Sequence, residues 1–155
     1  VKMLAMTHCD ASKLAKQHGK KAEYALCAAQ WHKTLTYEDE FFGNGIKYDK
    51  DFNAEYGYAP PYQAAESSAA LLVWKDAFER ANSTDTEKVR DALAKTDMQT
   101  FYGNIKFGSG GQNTAKPMVL FQVICDGDKC ENKVVAPTKW ASAKLVHPVP
   151  KWSER

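Results

Sequence analysis

The first 32 residues contain the feature that most restricts the fold, which is two apolar runs separated by a short helical segment. Residues 1–7 and 24–29 are predicted strands, and residues 12–18 between them are a predicted helix that ends at Gly19. Apolar side chains on both faces of the first strand are typical of a parallel sheet covered by helices. The strand–helix–strand order therefore predicts an α/β fold.

A long helix is predicted over residues 62–81, where apolar side chains recur at helical spacing in two neighbouring stripes. Two apolar stripes indicate that the helix is buried on more than one side. The first stripe comprises Ala65, Ala69, Leu72, Val73 and Ala77, and the second comprises Leu71, Trp74, Phe78 and Ala81.

The segments on either side of this helix also have recognisable patterns. Residues 37–56 are predicted to be helical, with a break at the glycines left open, and their apolar side comprises Phe41, Phe42, Ile46, Phe52 and Tyr56. Thr84 and Glu87 have the spacing of a capping box, which predicts the start of another helix. Residues 100–107 are predicted to form a strand pair around Gly103.

Four cysteines are present, and two of them flank a turn signal. Cys125 and Cys130 lie on either side of Asp126-Gly127, and Asp-Gly is the strongest short hairpin signal. Cysteines that face each other at the base of a hairpin have the geometry of a disulfide, so we expect this pair to be bridged. The pairing of Cys9 and Cys27 is left open. Zinc would need further ligands beside the C-x4-C pair of Cys125 and Cys130, and the four histidines are scattered along the chain, so no metal site is expected.

Composition excludes several function classes. The 21 Lys and Arg against 19 Asp and Glu leave a net charge of +2, and the basic residues between positions 13 and 21 lack interleaved aromatics. No nucleic-acid partner is therefore expected. The longest apolar runs fall short of the roughly 18 residues that a membrane span needs. Ser109-Gly110-Gly111 matches no phosphate-binding motif, and no cofactor is expected.

Polar and aromatic side chains follow the two predicted strands of the first 32 residues. Thr7 and His8 end the first strand, and Gln30 and Trp31 end the second. In open α/β sheets ligands bind beyond the carboxyl ends of the strands, so these side chains are candidates for a pocket wall. The alternative left open is a surface histidine and a packed tryptophan.

A series of short motifs follows in a fixed order. It comprises Tyr56-Gly57-Tyr58-Ala59-Pro60, Tyr62-Gln63-Ala64-Ala65-Glu66, Phe101-Tyr102-Gly103-Asn104-Ile105, Lys116-Pro117, Val134-Val135-Ala136-Pro137 and Pro148-Val149-Pro150-Lys151-Trp152. In order and spacing the chain from about residue 34 to 152 resembles the C-terminal part of a branched-chain amino-acid-type solute-binding protein of ABC transporters, which has the type I periplasmic binding fold.

The resemblance implies two α/β lobes joined by three crossovers, with the ligand in the cleft between them. Residues 1–32 would be the remainder of the second lobe, and residues 33–118 the C-terminal portion of the first lobe. Residues 119–155 would supply the final crossover strand, the hairpin and the tail on the second lobe. Because Val1 begins in what resembles the middle of that fold, we expect the N-terminal half to be missing and the fold to be incomplete without it.

The resemblance also implies a ligand site near the crossovers. An acid that some members carry near Thr7 and His8 is absent here. We expect Trp31 or Tyr62 to form an apolar wall and Glu66 to bind a ligand ammonium, while His8 and Gln30 bind a carboxylate or amide. The complete set of expected ligand-binding residues is Thr7, His8, Gln30, Trp31, Tyr62, Gln63 and Glu66.

The function implied is capture of an amino acid, or a similar small polar or aromatic acid, for a membrane permease. No catalytic residue is expected, and the protein would be exported to the periplasm or cell exterior. Surface left open by the missing half would favour a dimer of the fragment. One alternative is a ligand-sensing regulatory domain of the same fold. Another is a thiol-dependent enzyme that uses His8 with Cys9 or Cys27.

Overall fold

The computed structural model describes residues 2–7, 9 and 11–154. The chain divides into two compact units, which we name the terminal unit (Val1–Gln30 with Met118–Arg155) and the central unit (Trp31–Pro117). The division falls after residues 30 and 117, whereas the sequence predicted it after residues 32 and 118. The assignment of these units to two lobes stays a prediction.

The described chain contains four α-helices and eight strands, and the last three helices follow one another without an intervening strand. The helices are α1 (Ala11–His18), α2 (Gly45–Tyr56), α3 (Tyr62–Ala81) and α4 (Thr86–Ala94). The strands are β1 (Ala5–Thr7), β2 (Leu26–Ala29), β3 (Glu38–Asp39), β4 (Gly43–Asn44), β5 (Asp97–Thr100), β6 (Gly103–Lys106), β7 (Val119–Asp126) and β8 (Lys129–Ala136). None of the helices in the described ranges has the length and apolar character that crossing a lipid bilayer requires.

The terminal unit is built on a four-stranded mixed sheet in the order β1-β2-β7-β8. β1 and β2 are parallel, and the other two pairs are antiparallel. Helix α1 covers the sheet through Ala11, which packs with Ala25 and Val123. The mixed sheet with a covering helix confirms the α/β class predicted from the sequence.

A buried glutamine links strand β7 to the segment before β2 and to the C-terminal tail. The side chain of Gln122 donates hydrogen bonds to the carbonyls of Tyr24 and Val146, and its carbonyl accepts one from the Val146 N–H. Burial of an amide is tolerated because its donors and acceptor are all satisfied. The glutamine therefore holds the C-terminal tail against the sheet.

The first strand is shorter and less buried than the sequence predicted. β1 begins at Ala5, and Met3 and Leu4 are both exposed. Within the described residues β1 pairs with β2 alone and lies at the edge of the sheet. Met3 and Leu4 lie before the strand and are exposed, so the expected burial on both faces is wrong for these residues.

The hairpin of β7 and β8 carries the disulfide expected from the cysteine spacing. Cys125 and Cys130 are paired across the two strands, with their Cα atoms 4.0 Å apart, and are joined by a disulfide. The loop residues are Gly127 and Asp128, one position later than the Asp-Gly signal suggested. Gly127 has φ +59°, a left-handed conformation that glycine adopts without steric cost.

In the central unit the predicted helix over residues 37–56 is wrong in its first part. Residues 38–44 form the short β3–β4 hairpin, and α2 begins only at Gly45. Asp39 explains the difference, because its carboxylate accepts hydrogen bonds from the N–H groups of Phe41 and Phe42 and so stabilises a tight turn. Asn44 then caps α2 by accepting from the Lys47 N–H, 3.0 Å away.

The long helix α3 has the predicted bounds but only one of its two predicted buried faces. The first apolar stripe is buried throughout, from Ala65 to Ala77. In the second stripe Leu71 is 68% exposed, and Trp74 and Phe78 are also exposed. The neighbouring helix α4 packs against Ala77 through Val89 and Ala92. Burial on both stripes is therefore wrong for the described chain.

Helix α4 starts one residue later than its capping signal placed it. The N-cap is Asp85, whose carboxylate accepts from the Lys88 N–H at 3.1 Å, so the expected Thr84–Glu87 box is not the cap. Both Thr84 and Asp85 are good cap residues, and the one adjacent to the first helical residue forms the bond.

Candidate functional site

The predicted site residues fall in both units. Thr7 ends β1 and is exposed, and Gln30 directly follows β2 and is half-buried. β1 and β2 are parallel, and Thr7 lies opposite Ala28. Thr7 and Gln30 therefore lie at the C-terminal ends of two neighbouring strands. His8, which was expected beside them, lies outside the described residues.

Trp31 lies in an aromatic core of the central unit. It is 4% exposed and meets Tyr48 and Phe101 edge-on, with ring centroids 5.8 and 6.0 Å away. Tyr48 and Phe101 are stacked on each other at 4.3 Å. Edge-to-face contacts of this kind are favourable beyond the area they bury. The structure thus corresponds to the packed-tryptophan alternative, and Trp31 presents almost no wall to a ligand in the described chain.

The same core corrects the apolar side expected for residues 37–56. Tyr48 is buried in it and shares a hydrogen bond of 2.9 Å with the Ser68 hydroxyl. Phe42 packs against Phe101 at 5.1 Å. The expected apolar residues Phe41, Ile46 and Tyr56 are instead exposed. The buried residues differ from those expected because residues 38–44 form the β3–β4 hairpin. A helix that begins only at Gly45 places a different set of side chains against the core.

The remaining predicted residues form the first turns of α3, which follows Pro61. Tyr62 is half-buried, and Gln63 and Glu66 are exposed. Tyr62 and Glu66 are four residues apart and therefore share one face of the helix, while Gln63 points to the neighbouring face. Helical spacing thus brings Tyr62 and Glu66 together without any long-range contact.

Two residues that sequence reasoning did not select complete this cluster. Tyr102 lies in the turn between β5 and β6 and is buried, and the Lys116 ammonium lies 3.9 Å from the centre of its ring. This is a cation–π contact. Glu66 acts electrostatically on both residues, and Tyr62 acts on Tyr102. We call Tyr62, Glu66, Tyr102 and Lys116 the charged–aromatic cluster.

Gly103 makes the contact between Lys116 and Tyr102 possible. It has φ +144°, and a Cβ added there would lie 2.4 Å from Lys116 Cδ. Both the backbone conformation and the space therefore require glycine. The lysine stem passes over the glycine and places its amine on the neighbouring tyrosine ring.

The electrostatics of the cluster are set by burial and by one carboxylate. Burial raises the pKa of Tyr102, and the charges of Glu66 and Tyr62 raise it further. Burial lowers the pKa of Lys116 to about 8, and the Glu66 carboxylate opposes this shift only in part. The lysine is therefore protonated over most of the physiological range, but its charge is poorly solvated.

The sequence contained a signal for the two missed residues. Phe101-Tyr102-Gly103 and Lys116-Pro117 were among the motifs of the family resemblance, yet no chemistry was attached to them. An aromatic residue next to a glycine in a predicted strand pair indicates a close backbone or side-chain approach.

Other parts of the described chain offer weaker sites. An open groove between α1 and the β7–β8 hairpin is lined by charges of both signs, on Lys16, Asp128, Lys129 and Glu131. No three or more His, Cys, Asp or Glu side chains in the described ranges are arranged to hold a metal ion. Cys9 and Cys27 form a second disulfide, with Cα atoms 5.7 Å apart. Neither cysteine of the thiol-enzyme alternative is thus a free thiol.

Comparisons with known proteins agree with this fold. Residues 1–129 match the family model described as periplasmic binding protein. A leucine binding protein LivK from Thermotoga maritima has a TM-score of 0.60 and 22% identity, over 83% of this chain and 35% of that chain. A putative branched-chain amino acid ABC transporter from Silicibacter pomeroyi has a TM-score of 0.72 and 15% identity, over 97% and 41%.

A third similar structure contains a ligand. It is the branched-chain amino acid transporter substrate binding protein LivJ from Streptococcus pneumoniae in complex with isoleucine, with a TM-score of 0.59 and 15% identity. The match covers 81% of this chain and 34% of that chain. The chain thus spans well under half the length of these structures and has part of their fold. Since the family model covers most of its residues, the chain belongs to the periplasmic binding protein family.

Proposed function

We propose that this chain is part of the solute-binding component of an ABC importer, which captures an amino acid or a similar small polar or aromatic acid. The observation that carries the proposal is the charged–aromatic cluster, where a carboxylate and an ammonium lie beside two tyrosines. A free amino acid has the complementary set of groups, namely an ammonium, a carboxylate and a side chain.

The exposed Glu66 carboxylate would bind the ligand ammonium, since ionised carboxylates accept strong charge-assisted hydrogen bonds. Tyr62 would form an apolar wall with a polar tip, as aromatic side chains do in many ligand sites. Gln63, one residue further along α3, would contribute an amide at the rim.

Trp31 has a different proposed role from the wall expected of it. Its indole N–H donates to the carbonyl of Phe101, and Phe101 precedes Tyr102. We therefore assign Trp31 as a positioning residue, which fixes the backbone that carries Tyr102. Thr7, His8 and Gln30 of the terminal unit stay proposed ligand-binding residues, because they follow the two parallel strands of its sheet.

Delivery to a membrane permease and export from the cytoplasm belong to the same proposal. Support for export comes from the cysteines, because all four are joined in two disulfides. Disulfides form and persist in oxidising compartments and are rare in the cytosol. The similar structures from Silicibacter pomeroyi and Streptococcus pneumoniae are branched-chain amino acid transporter proteins, which supports a ligand of the amino-acid class.

A ligand-sensing regulatory domain would have the same binding site, so affinity alone does not separate it from a transport protein. The separating experiment is uptake of a labelled ligand by cells with and without the gene. Loss of uptake on deletion supports transport, and unchanged uptake with retained binding supports sensing.

Binding itself is tested by calorimetric titration of the longest form that the gene encodes, with leucine, phenylalanine and benzoate. We expect at least one of them to bind, and Glu66→Gln to weaken amino-acid binding by about 10-fold or more, as loss of a charge-assisted hydrogen bond does. Glu79→Gln is the matched control, since Glu79 is exposed on the same helix and paired with Lys75. Equal affinity in the wild type and Glu66→Gln would reject this assignment of the site.

A further inference from the structure

One carboxylate joins two distant turns of the central unit. Oδ1 of Asp39 accepts hydrogen bonds from the N–H groups of Phe41 and Phe42, at 2.9 and 2.8 Å. Oδ2 accepts from the N–H of Phe101 at 2.7 Å, and Phe101 is 62 residues further along the chain. The first two bonds close the β3–β4 turn, and the third reaches the β5–β6 turn. Both oxygens are therefore engaged, and a single side chain fixes both turns.

The backbone of Phe101 is held on both of its polar groups. Its N–H donates to Asp39, and its carbonyl accepts from the indole of Trp31. Hydrogen bonds to a charged group are stronger than those between neutral groups, so the bond to Asp39 is the stronger of the two anchors. Tyr102 is the next residue and is buried. The position of its backbone is thus set by the two anchors of its neighbour.

The same turn is also closed from within. The hydroxyl of Thr100 donates to the carbonyl of Gly103 at 3.0 Å, and Tyr102 lies between these two residues. The ring of Tyr102 carries the Lys116 ammonium, 3.9 Å from its centre. A shift of the turn would therefore move the ring away from the amine. The geometry of the charged–aromatic cluster thus depends on how the turn is anchored.

We propose that Asp39 is a positioning residue of the candidate site, whose carboxylate holds the β5–β6 turn in the conformation that presents Tyr102 to the ligand. The inference rests on the proposed function, because it adds a residue to the same site. Without this carboxylate the Phe101 N–H loses its acceptor, and fewer molecules keep the turn in the binding-competent conformation. The apparent affinity falls in proportion to that fraction. Asp39 acts through the backbone and does not touch the ligand.

Two substitutions of Asp39 test the proposal. Asp39→Asn has the same shape, but its amide offers one oxygen where the carboxylate offers two, so one of the two turns faces an NH₂ donor. Asp39→Ser is the second variant, in case the first does not fold. A serine hydroxyl can accept from the N–H groups of its own turn, yet it is too short to serve Phe101 as well.

Two control variants separate positioning from stability. Glu40→Gln removes the neighbouring carboxylate, which is exposed. Val89→Ala destabilises the same unit at another place, because Val89 is buried on α4 against Ala77. Each protein is titrated with leucine, phenylalanine and benzoate, in the longest form that the gene encodes and well below its unfolding temperature. Under these conditions a loss of global stability alone leaves the affinity unchanged.

Nuclear magnetic resonance reads the position of the ring without a ligand. Protons over the face of an aromatic ring are shielded, so the methylene next to the Lys116 amine should resonate upfield of that of Lys106, which is exposed and paired with Asp97. We expect this upfield shift to shrink in Asp39→Asn and to persist in both controls. In the wild type the amide proton of Phe101 should exchange with solvent far more slowly than that of the exposed Gly110.

The expected result is that Asp39→Asn and Asp39→Ser weaken binding by about 10-fold or more, as loss of a hydrogen bond to a charged group does, while the controls bind as the wild type does. If the folded Asp39 variants bind as tightly as the wild type, or leave the Lys116 resonance unmoved, the inference is overturned and the proposed function stands. An equal loss of affinity in Val89→Ala, or a Phe101 amide that exchanges as fast as that of Gly110, also overturns it. If none of the three probes binds the wild type, the inference and the proposed function are both overturned.

Discussion

The indole N–H of Trp31 donates a hydrogen bond of 3.3 Å to the backbone carbonyl of Phe101, which is 70 residues further along the chain. Both residues are buried and their rings meet edge-on. This contact joins the first residue of the central unit to the turn that carries Tyr102. Packing of the aromatic core therefore fixes the backbone next to Tyr102. The stability of this core and the proposed function of the charged–aromatic cluster are thus linked.

Removal of the Trp31 ring should destabilise the chain strongly. Trp31→Ala is expected to cost about 3–5 kcal/mol in the free energy of unfolding, the usual range for an aromatic core residue. Trp31→Phe keeps a ring but leaves the Phe101 carbonyl without this donor, at a cost of about 1–3 kcal/mol. Urea denaturation measures both. Trp74→Ala is the control, since Trp74 is largely exposed, and a similar loss there would contradict the argument.

Adjacent leucines on α3 test which stripe is buried. Leu72 is 7% exposed and Leu71 is 68% exposed, so Leu72→Ala should cost about 2–5 kcal/mol and Leu71→Ala less than about 0.5 kcal/mol. Thermal unfolding measures both variants, and the comparison is direct because both replace a leucine by alanine. Comparable losses would show that the second stripe is covered in solution, as the sequence predicted.

Gly103 and Lys116 should be energetically coupled. Gly103→Ala forces an L-residue into φ +144° and pushes its methyl group against the lysine stem, so we expect a loss of about 1–3 kcal/mol or more. Combining it with Lys116→Ala removes the collision but not the backbone strain. A double-mutant cycle should thus give a coupling of about 0.5–3 kcal/mol, whereas strictly additive losses would mean that the two residues do not meet.

The two disulfides should contribute unequally. Cys9 and Cys27 are 18 residues apart, and Cys125 and Cys130 are five apart. In the chain-entropy model the longer loop restricts the unfolded chain more, by about 1 kcal/mol for these lengths. Replacing Cys9 and Cys27 by alanine should therefore cost more than replacing the other pair. A peptide map without reducing agent checks both linkages first, and a larger loss from the Cys125–Cys130 pair would contradict the entropic argument.

Local signals predicted the parts of the fold that depend on local contacts. The bounds of α3 follow from its helical periodicity and the prolines before Tyr62. The β7–β8 hairpin follows from the Asp-Gly signal, although its loop lies one residue later. The segment at residues 38–44 was mispredicted because Asp39 bonds to its own turn and also accepts from the distant Phe101 N–H at 2.7 Å. A one-dimensional pattern does not contain that second contact.

The sequence also predicted only those parts of the candidate site that depend on local contacts. The sequence predicts that Tyr62 and Glu66 lie close together, because residues four apart on a helix share one face. Tyr102 lies in a strand turn and Lys116 in a loop, and only the tertiary fold brings them within the electrostatic influence of Glu66 on α3. The burial of Trp31 likewise depends on Phe101, which its own surroundings in the sequence do not indicate.

The lowered pKa of Lys116 gives the chain a characteristic dependence of stability on pH. The amine titrates at about 8 in the folded chain and at 10.5 when unfolded, so the unfolded chain binds more protons between these values. The free energy of unfolding should then rise as pH increases from about 8 towards 10. Tyr102 acts in the opposite direction only above pH 10, where the unfolded chain loses the phenolic proton first. Urea midpoints measured across this window should rise in the wild type and in Lys106→Met, and Lys116→Met should lack the increase. An equal increase in all three proteins would show that Lys116 is not desolvated.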